Sequence, residues 1–332
     1  MNSHVKRLFL FVLCLGFFAA SCTGPGQKAA APGRAKVFKI AVIPKGTTHE
    51  FWRAIHAGAA RAAKDLGVEI IWKGPQKEDD RAQQITVVED VISRGADGIV
   101  LAPLDDRALV RPVQDAMRDH IPVVIIDSGL QGKDYLSFIA TDNYQGGVLG
   151  ARRLGTLLGG EGKIFLVRYQ EGSASTMERE RGFLETVEKE FRSLTVLVKD
   201  QYAGPTTESA YQLAENLLSR FPEVEGIFCP NESSTFGTLR AIQEAQLAGK
   251  IKFVGFDSSP KLVQALRDGH LHGLILQNPV KMGYLGVASM VQHLRGQHIP
   301  ERVDTGVYLA TRENMDTPEI RELLSPDLSI LD

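Results

Sequence analysis

The chain has 332 residues, 43% hydrophobic and 23% charged, the balance of a folded globular protein rather than a disordered one. Its 38 Lys and Arg against 40 Asp and Glu give a formal charge of -2, which removes any electrostatic case for a nucleic-acid partner. Three cysteines exclude a disulfide framework: Cys14 and Cys22 lie near the N-terminus, and Cys229 stands alone in an apolar run as a small core residue.

The first stretch is a targeting segment. Lys6 and Arg7 form a short positive region, residues 8–20 are almost wholly apolar, and small residues follow. This is the layout of a secretory signal, too short and wrongly flanked for a spanning helix. The run Ala19-Ala20-Ser21-Cys22 resembles a bacterial lipobox, which implies a signal peptide over 1–21, cleavage before Cys22 and a lipid on that cysteine. Residues 22–36, rich in Gly, Pro, Ala and Lys without apolar periodicity, are expected to form a flexible tether from the membrane. Cleavage leaves 311 residues, enough for two domains.

From residue 39 onward strand and helix patterns alternate. Strands are expected at 39–44, 69–72, 98–102 and 123–126, and helices at 51–66, 81–93 and 106–118. A second set follows Asp142, with strands at 163–167, 194–198, 226–229, 251–254 and 271–276. Its helices are expected at 144–158, 177–190, 209–220, 235–244, 260–266 and 281–294. The strands are continuous apolar runs, the mark of parallel sheets covered on both faces. The fold class is therefore α/β, with two doubly wound parallel sheets in series. From residue 312 the chain is polar and is expected to wrap the surface.

The polar residues gather where such sheets bind ligands, at strand carboxyl ends. Lys45, His49, Glu50, Phe51 and Trp52 follow the first strand, and Asp127 and Ser128 end the fourth. Asn231 and Glu232, then Asp257, then Gln277 and Asn278 end three strands of the second set. Acid and amide groups take or give paired hydrogen bonds to neighbouring hydroxyls, while an aromatic ring covers an apolar C–H face, so the combination suits a sugar. Each residue has a plainer role as well. Strand-end Asp residues also serve as caps or turn formers, Trp52 shares a helix face with Ile55 and suits a core, and Arg179 could pair with Glu180 or Glu185.

The motifs IAVIPKGTTHEFW, GADGIVLAP, IPVVIIDSG, IATDNYQGG, ERERGF, GIFCPNE, FVGFDSSP and LILQNP together carry a family likeness. The chain resembles the ribose- and galactose-type periplasmic binding proteins, the capture components of ABC sugar importers, whose domain is shared by LacI-type repressors. The resemblance implies a ligand held between two lobes joined by three crossovers. One lobe would comprise 37–141 with 278–307, the other 142–277 with 308–332 including the C-terminal tail. It also implies ligand contacts from Lys45, His49, Phe51, Trp52, Asp127, Asn231, Asp257 and Gln277. Three positions depart from ribose binders. The IPK form around Lys45 is similar to binders of the furanosyl autoinducer-2 signal, Ser128 replaces an Arg, and Met177 leaves Arg179 as the guanidinium candidate. With Lys45 and Glu50 at the rim, the implied ligand extends to another pentose, a hexose, a polyol or a sugar with an anionic group.

The expected partners are a small sugar or polyol and a membrane permease, with the protein acting as a monomer, lipid-anchored on the periplasmic side of a bacterial membrane. A sugar or furanose sensor coupled to a membrane receptor is the alternative. A DNA-binding regulator would need a helix-turn-helix where the signal and tether stand. An enzyme using Asp127, Asp142 and Asp257 is also conceivable, because paired carboxylates serve acid–base work as well as hydroxyl recognition. However, no G-x-S-x-G, H-E-x-x-H or P-loop motif occurs, and no G-x-G-x-x-G follows the first strand. No catalysis, cofactor or metal is expected.

Overall fold

The computed structural model describes residues 36–332, so the signal segment, Cys22 and all of the tether but Lys36 lie outside the described residues. Residues Val37–Asp332 form one compact unit. Within it the first lobe begins with β1 (Lys39–Ile43), α1 (Glu50–Leu66), β2 (Glu69–Trp72), α2 (Arg81–Ser93) and β3 (Gly98–Leu101). It continues with α3 (Val110–Arg118), β4 (Val123–Ile126) and β5 (Ser137–Ala140). The second lobe runs through α4 (Asn143–Leu157), β6 (Glu161–Leu166), α5 (Ala174–Glu190), β7 (Ser193–Val198), α6 (Thr207–Arg220) and β8 (Gly226–Phe228). Next come α7 (Glu232–Glu244), β9 (Lys252–Phe256), α8 (Pro260–Asp268) and β10 (Gly273–Leu276). The chain then returns through α9 (Pro279–Leu294) and β11 (Arg302–Asp304), and ends with β12 (Tyr308–Ala310), α10 (Pro318–Leu324) and a 3-10 turn, Ser329–Leu331.

The two sheets have the same strand order. The first runs β11-β5-β4-β3-β1-β2 and the second β12-β10-β9-β8-β6-β7. All pairings are parallel except β10 with β12. β3, β4 and β10 are wholly buried, as their unbroken apolar sequences require. In each sheet the order reverses beside the first strand of the lobe, which opens a crevice at the carboxyl ends of β1 and β3 and of β6 and β8.

Glycines seat the helices that deliver side chains to these crevices. A Cβ on Gly58 of α1 would lie 1.9 Å from the Val280 carbonyl oxygen, and one on Gly283 of α9 would lie 2.0 Å from that of Ile55. The second lobe repeats the device: a Cβ on Gly147 of α4 would stand 1.9 Å from the Arg179 carbonyl, and one on Gly182 of α5 2.1 Å from that of Tyr144. Only residues lacking Cβ allow backbones so near. These contacts fix the starts of α1 and α5, where Phe51, Trp52 and Arg179 lie.

Some expectations need correction. Strands β5, β11 and β12 escaped the sequence reading because, at three or four residues each, they are too short to show a period. The helix expected from 106 begins at Val110, because the Asp105 carboxylate accepts from Arg107 N and Ala108 N and holds a turn there. The helix expected from 235 begins at Glu232, capped by Asn231. The tail does not stay with the second lobe. α10 packs into that lobe's core through Ile320, Leu323 and Leu324, but the final turn lies on α1, where Arg61 donates to the Asp327 carboxylate at 2.8 Å. Among the described residues, no helix is long and apolar enough to cross a membrane.

Candidate functional site

Asp127 and Asp257 end β4 and β9 in the left-handed region, with φ of 63° and 67°. A non-glycine residue there is strained by Cβ and is held by its surroundings. Each strand stops sharply at its Asp, and the two carboxylates face each other across the interlobe cleft. Neither Asp is the N-cap of a helix of its own lobe segment: Ser259 caps α8.

A small cavity lies between the lobes. Nine residues anticipated from the sequence line it: Lys45, His49, Phe51, Trp52, Asp127, Arg179, Asn231, Asp257 and Gln277. Two do not. Glu50 turns outward, and its carboxylate meets Arg53 at 3.2 Å on the surface, because the first helical turn points it away from the cleft. Ser128 is fully buried under the C-lobe, where its Oγ accepts from Ser175 N at 3.1 Å. Four lining residues were not anticipated as ligand contacts: Glu78, Ser175, Thr176 and Glu232. Glu78 sits in the loop after β2, a polar stretch with no strand-end signal of its own. Glu232 was visible at the end of the Cys229 strand, but its direction was not.

Two of the cavity's cations are paired with carboxylates. Lys45 Nζ stands 3.0 Å from Asp127 Oδ2 and donates to Ser175 Oγ at 3.0 Å. The Lys45–Asp127 separation is that of an ion pair, although the carboxylate oxygen makes no directed hydrogen bond. His49 Nδ1 lies 2.6 Å from Glu78 Oε1. Burial works against the imidazolium, but the adjoining Glu78 carboxylate outweighs it and raises the pKa of His49 to about 9. The same pair, with Lys45 and the Trp52 indole, overcomes the burial of Glu78 and holds its carboxyl down at about 2. Burial raises the pKa of Asp257, partly offset by the Arg179 guanidinium. Lys45 and His49 are thus each paired with a carboxylate of their own lobe, while burial raises the carboxyl pKa values of Asp257 and Glu232.

The rings and the guanidinium are equally constrained. The Trp52 indole N–H donates to Glu78 Oε1 at 2.7 Å, and its ring, 2% exposed, packs in the first-lobe core while one edge meets the cavity. Core and cavity roles are therefore combined in one residue. Phe51 meets it edge-on, with centroids 4.9 Å apart. Arg179 pairs with neither Glu180 nor Glu185. Its Nε donates to Asn143 Oδ1 at 2.8 Å, another nitrogen donates to the Pro230 carbonyl at 2.9 Å, and the plane lies 3.9 Å over the Phe256 ring. Asn231 spends its carbonyl oxygen on capping α7. Gln277 donates to Asp257 Oδ1 at 2.8 Å, yet its own Oε1 is buried without a hydrogen-bond partner. An orphaned buried acceptor at a cavity wall is suited to a ligand hydroxyl.

The lobes are joined across this cavity. Tyr169 OH donates to Glu78 Oε2 at 2.8 Å, Gln170 Nε2 donates to the Glu78 carbonyl at 2.8 Å, and Phe51 N donates to Glu232 Oε2 at 3.1 Å. This is a closed cleft. A larger cavity lies behind Phe51, against Leu323, Leu324 and Leu328 of the tail. Its walls are mainly apolar, so the convergence of hydroxyl-binding groups belongs to the smaller one.

Residues 40–298 match the family model of a periplasmic binding protein domain. The chain belongs to the periplasmic binding proteins. Similar relatives include the ribose import binding protein RbsB of Haemophilus influenzae, 29% identical over 80% of this chain and 88% of that one. The D-allose-binding periplasmic protein of Escherichia coli is 30% identical over 76% and 83%. Among solved structures, a carbohydrate transporter solute-binding protein of Agrobacterium radiobacter, in complex with D-arabinose, superposes with a TM-score of 0.85 at 33% identity, covering 88% of this chain and all of that one. A solute-binding protein of Agrobacterium vitis bound to α-D-tagatopyranose gives 0.83 at 32% identity, covering 87% and 100%. This periplasmic binding protein therefore has the type I architecture of two parallel-sheet α/β lobes.

Proposed function

We propose that this periplasmic binding protein is the solute-binding component of an ABC importer and captures a neutral monosaccharide or polyol between its lobes. The observation that carries this is a cavity whose Lys45 and His49 are already paired with carboxylates and whose Gln277 acceptor is unsatisfied. The closed cavity is small, so it suits nothing larger than a single sugar ring. Asp127 and Lys45 act on adjacent hydroxyls from the first lobe, Arg179, Asp257 and Gln277 from the second lobe and the hinge, while Phe51 and Trp52 cover the C–H face. Residues 37–141 with 278–307 move as one body and 142–277 with most of 308–332 as the other. Ligand bridging the two favours the closed population. The protein performs no chemistry and delivers its sugar to a membrane permease. Importer relatives favour this over receptor-coupled sensing. Family membership implies a periplasmic location, and anchoring through lipid on Cys22 is part of the proposal.

The test is a thermal-shift screen of Val37–Asp332 against pentoses, hexoses, polyols, sugar acids and furanoses. A ligand at a thousandfold excess over its Kd adds roughly 4 kcal/mol of stability. One stereospecific neutral hit is the expected result. A preference for sugar acids, or no response from ligand-free protein, would overturn the reading.

A further inference from the structure

We infer that Glu232 is the closure latch of this protein: a carboxylate of the second lobe that completes the N-terminus of α1 on the first lobe when the cleft shuts. It thereby sets both the tightness and the pH response of sugar capture, and in this it rests on the binding function proposed above.

The first backbone N–H groups of a helix have no partner within it. At α1 the N-cap is His49, whose side chain makes no capping bond because its imidazole is engaged by Glu78. Acceptors come instead from across the cleft. Glu232 Oε1 accepts from Glu50 N at 3.3 Å and Oε2 accepts from Phe51 N at 3.1 Å. Glu232 is itself the first residue of α7, and its own N–H donates to Asp257 Oδ2 at 3.1 Å. Asp257 in turn accepts from Gln277 at the hinge. The positive end of α1 thus meets the Glu232 carboxylate, and that of α7 meets Asp257. Donors and acceptor belong to different lobes, so these bonds exist only when the cleft is shut. On opening, water replaces them on both sides.

The groups facing Glu232 decide the sign of its pH response. His49 on α1 is cationic and attracts it, and Asp257 repels it. The Glu50 carboxylate points outward to Arg53. Glu78, Arg179 and Lys45 stand beyond, across the cavity. Burial is the largest influence and pushes the Glu232 carboxyl up from 4.5 to about 7. Exposed to water in the open form, it returns towards its ordinary value. Closing therefore takes up a proton between those two values, and capture tightens as pH falls from about 7 towards 4.5. The neutral acid still offers an oxygen to each N–H. His49 contributes little to this response, because its partner Glu78 lies on the same lobe and stays with it in both forms.

The test uses Val37–Asp332, which contains both sheets and their cores, as wild type, Glu232→Gln and Glu232→Ala at pH 5.5 and 8.0. Nitroxide labels at Arg111→Cys and Asp200→Cys, exposed positions on opposite lobes, report the closed fraction without ligand, and Cys229 is buried. Calorimetry with D-ribose and D-allose reports capture. In the wild type the closed fraction rises at pH 5.5, and any sugar that binds does so about tenfold more tightly there than at pH 8.0. Glu232→Gln and Glu232→Ala both lose this difference, and Glu232→Ala binds about tenfold more weakly than Glu232→Gln at both pH values. A wild-type pH response retained by Glu232→Gln, or absent from the wild type, overturns the latch. If sugars bind but nothing depends on pH, the latch fails and the binding function stands. If the closed fraction follows pH yet no sugar binds, the latch stands and the sugar reading fails.

Discussion

Replacing Glu78 by Gln removes the negative partner of a buried imidazolium without changing shape. His49 is held at about 9 instead of 6.5, and Glu78 at about 2 instead of 4.5. Both displacements report one interaction, so it is counted once. At roughly 1.4 kcal/mol per pH unit it amounts to about 3 kcal/mol, in the range found when one partner of a buried pair is removed. His49 supplies this stability in full below 6.5 and loses it as pH rises through about 9. Glu78 supplies it above 4.5 and loses it as pH falls towards 2. The contribution is therefore greatest between about 4.5 and 6.5. Denaturant unfolding of wild type and Glu78→Gln at pH 6.0 and 9.5 measures it. The variant is expected to lose about 3 kcal/mol at pH 6.0 and much less at pH 9.5, while imidazole resonances show His49 titrating well below the wild-type value of about 9. An equal penalty at both pH values would refute the ion pair and leave only a lost hydrogen bond to Trp52 or Tyr169.

Lys45→Met leaves Asp127 buried without its cation. It is expected to destabilise the protein by about 3 kcal/mol and to weaken sugar binding at least about a hundredfold by calorimetry, whereas unchanged affinity would take Lys45 out of the site. Gly147→Ala places a Cβ 1.9 Å from the Arg179 carbonyl and must push α4 from α5. It is expected to cost roughly 1–3 kcal/mol in denaturant unfolding and to weaken capture as well, because Arg179 moves with its helix. Lost stability with unaltered affinity would show that Arg179 does not serve the ligand.

The alternation of apolar strands and amphipathic helices made the α/β class readable from residue 39 onward, because a parallel strand buried on both faces must be apolar throughout. Strand-end placement made most of the cavity readable too: Lys45, Asp127, Asp257 and Gln277 each follow a run whose end is plain in the sequence. Glu78 was not readable. It follows the partly buried β2 in a polar loop, and its importance comes from His49, Trp52 and Tyr169, which lie 29, 26 and 91 positions away. Glu50 and Ser128 lie off the cavity for the opposite reason, since their neighbours in sequence line it and they do not. A helix turns about 100° per residue, and a strand end can turn either way.

The chain order and apolar pattern alone determined two doubly wound sheets and the edge on which their polar residues gather, since local periodicity and right-handed crossovers leave few other solutions. Which of those residues pair with one another was decided only in three dimensions, within a lobe for Lys45 with Asp127 and His49 with Glu78, and across the closed cleft for Glu232 with the start of α1. Charge matching depends on distance through space: Glu232 reaches the start of α1 from about 180 residues away, and nothing in the sequence between them records that meeting.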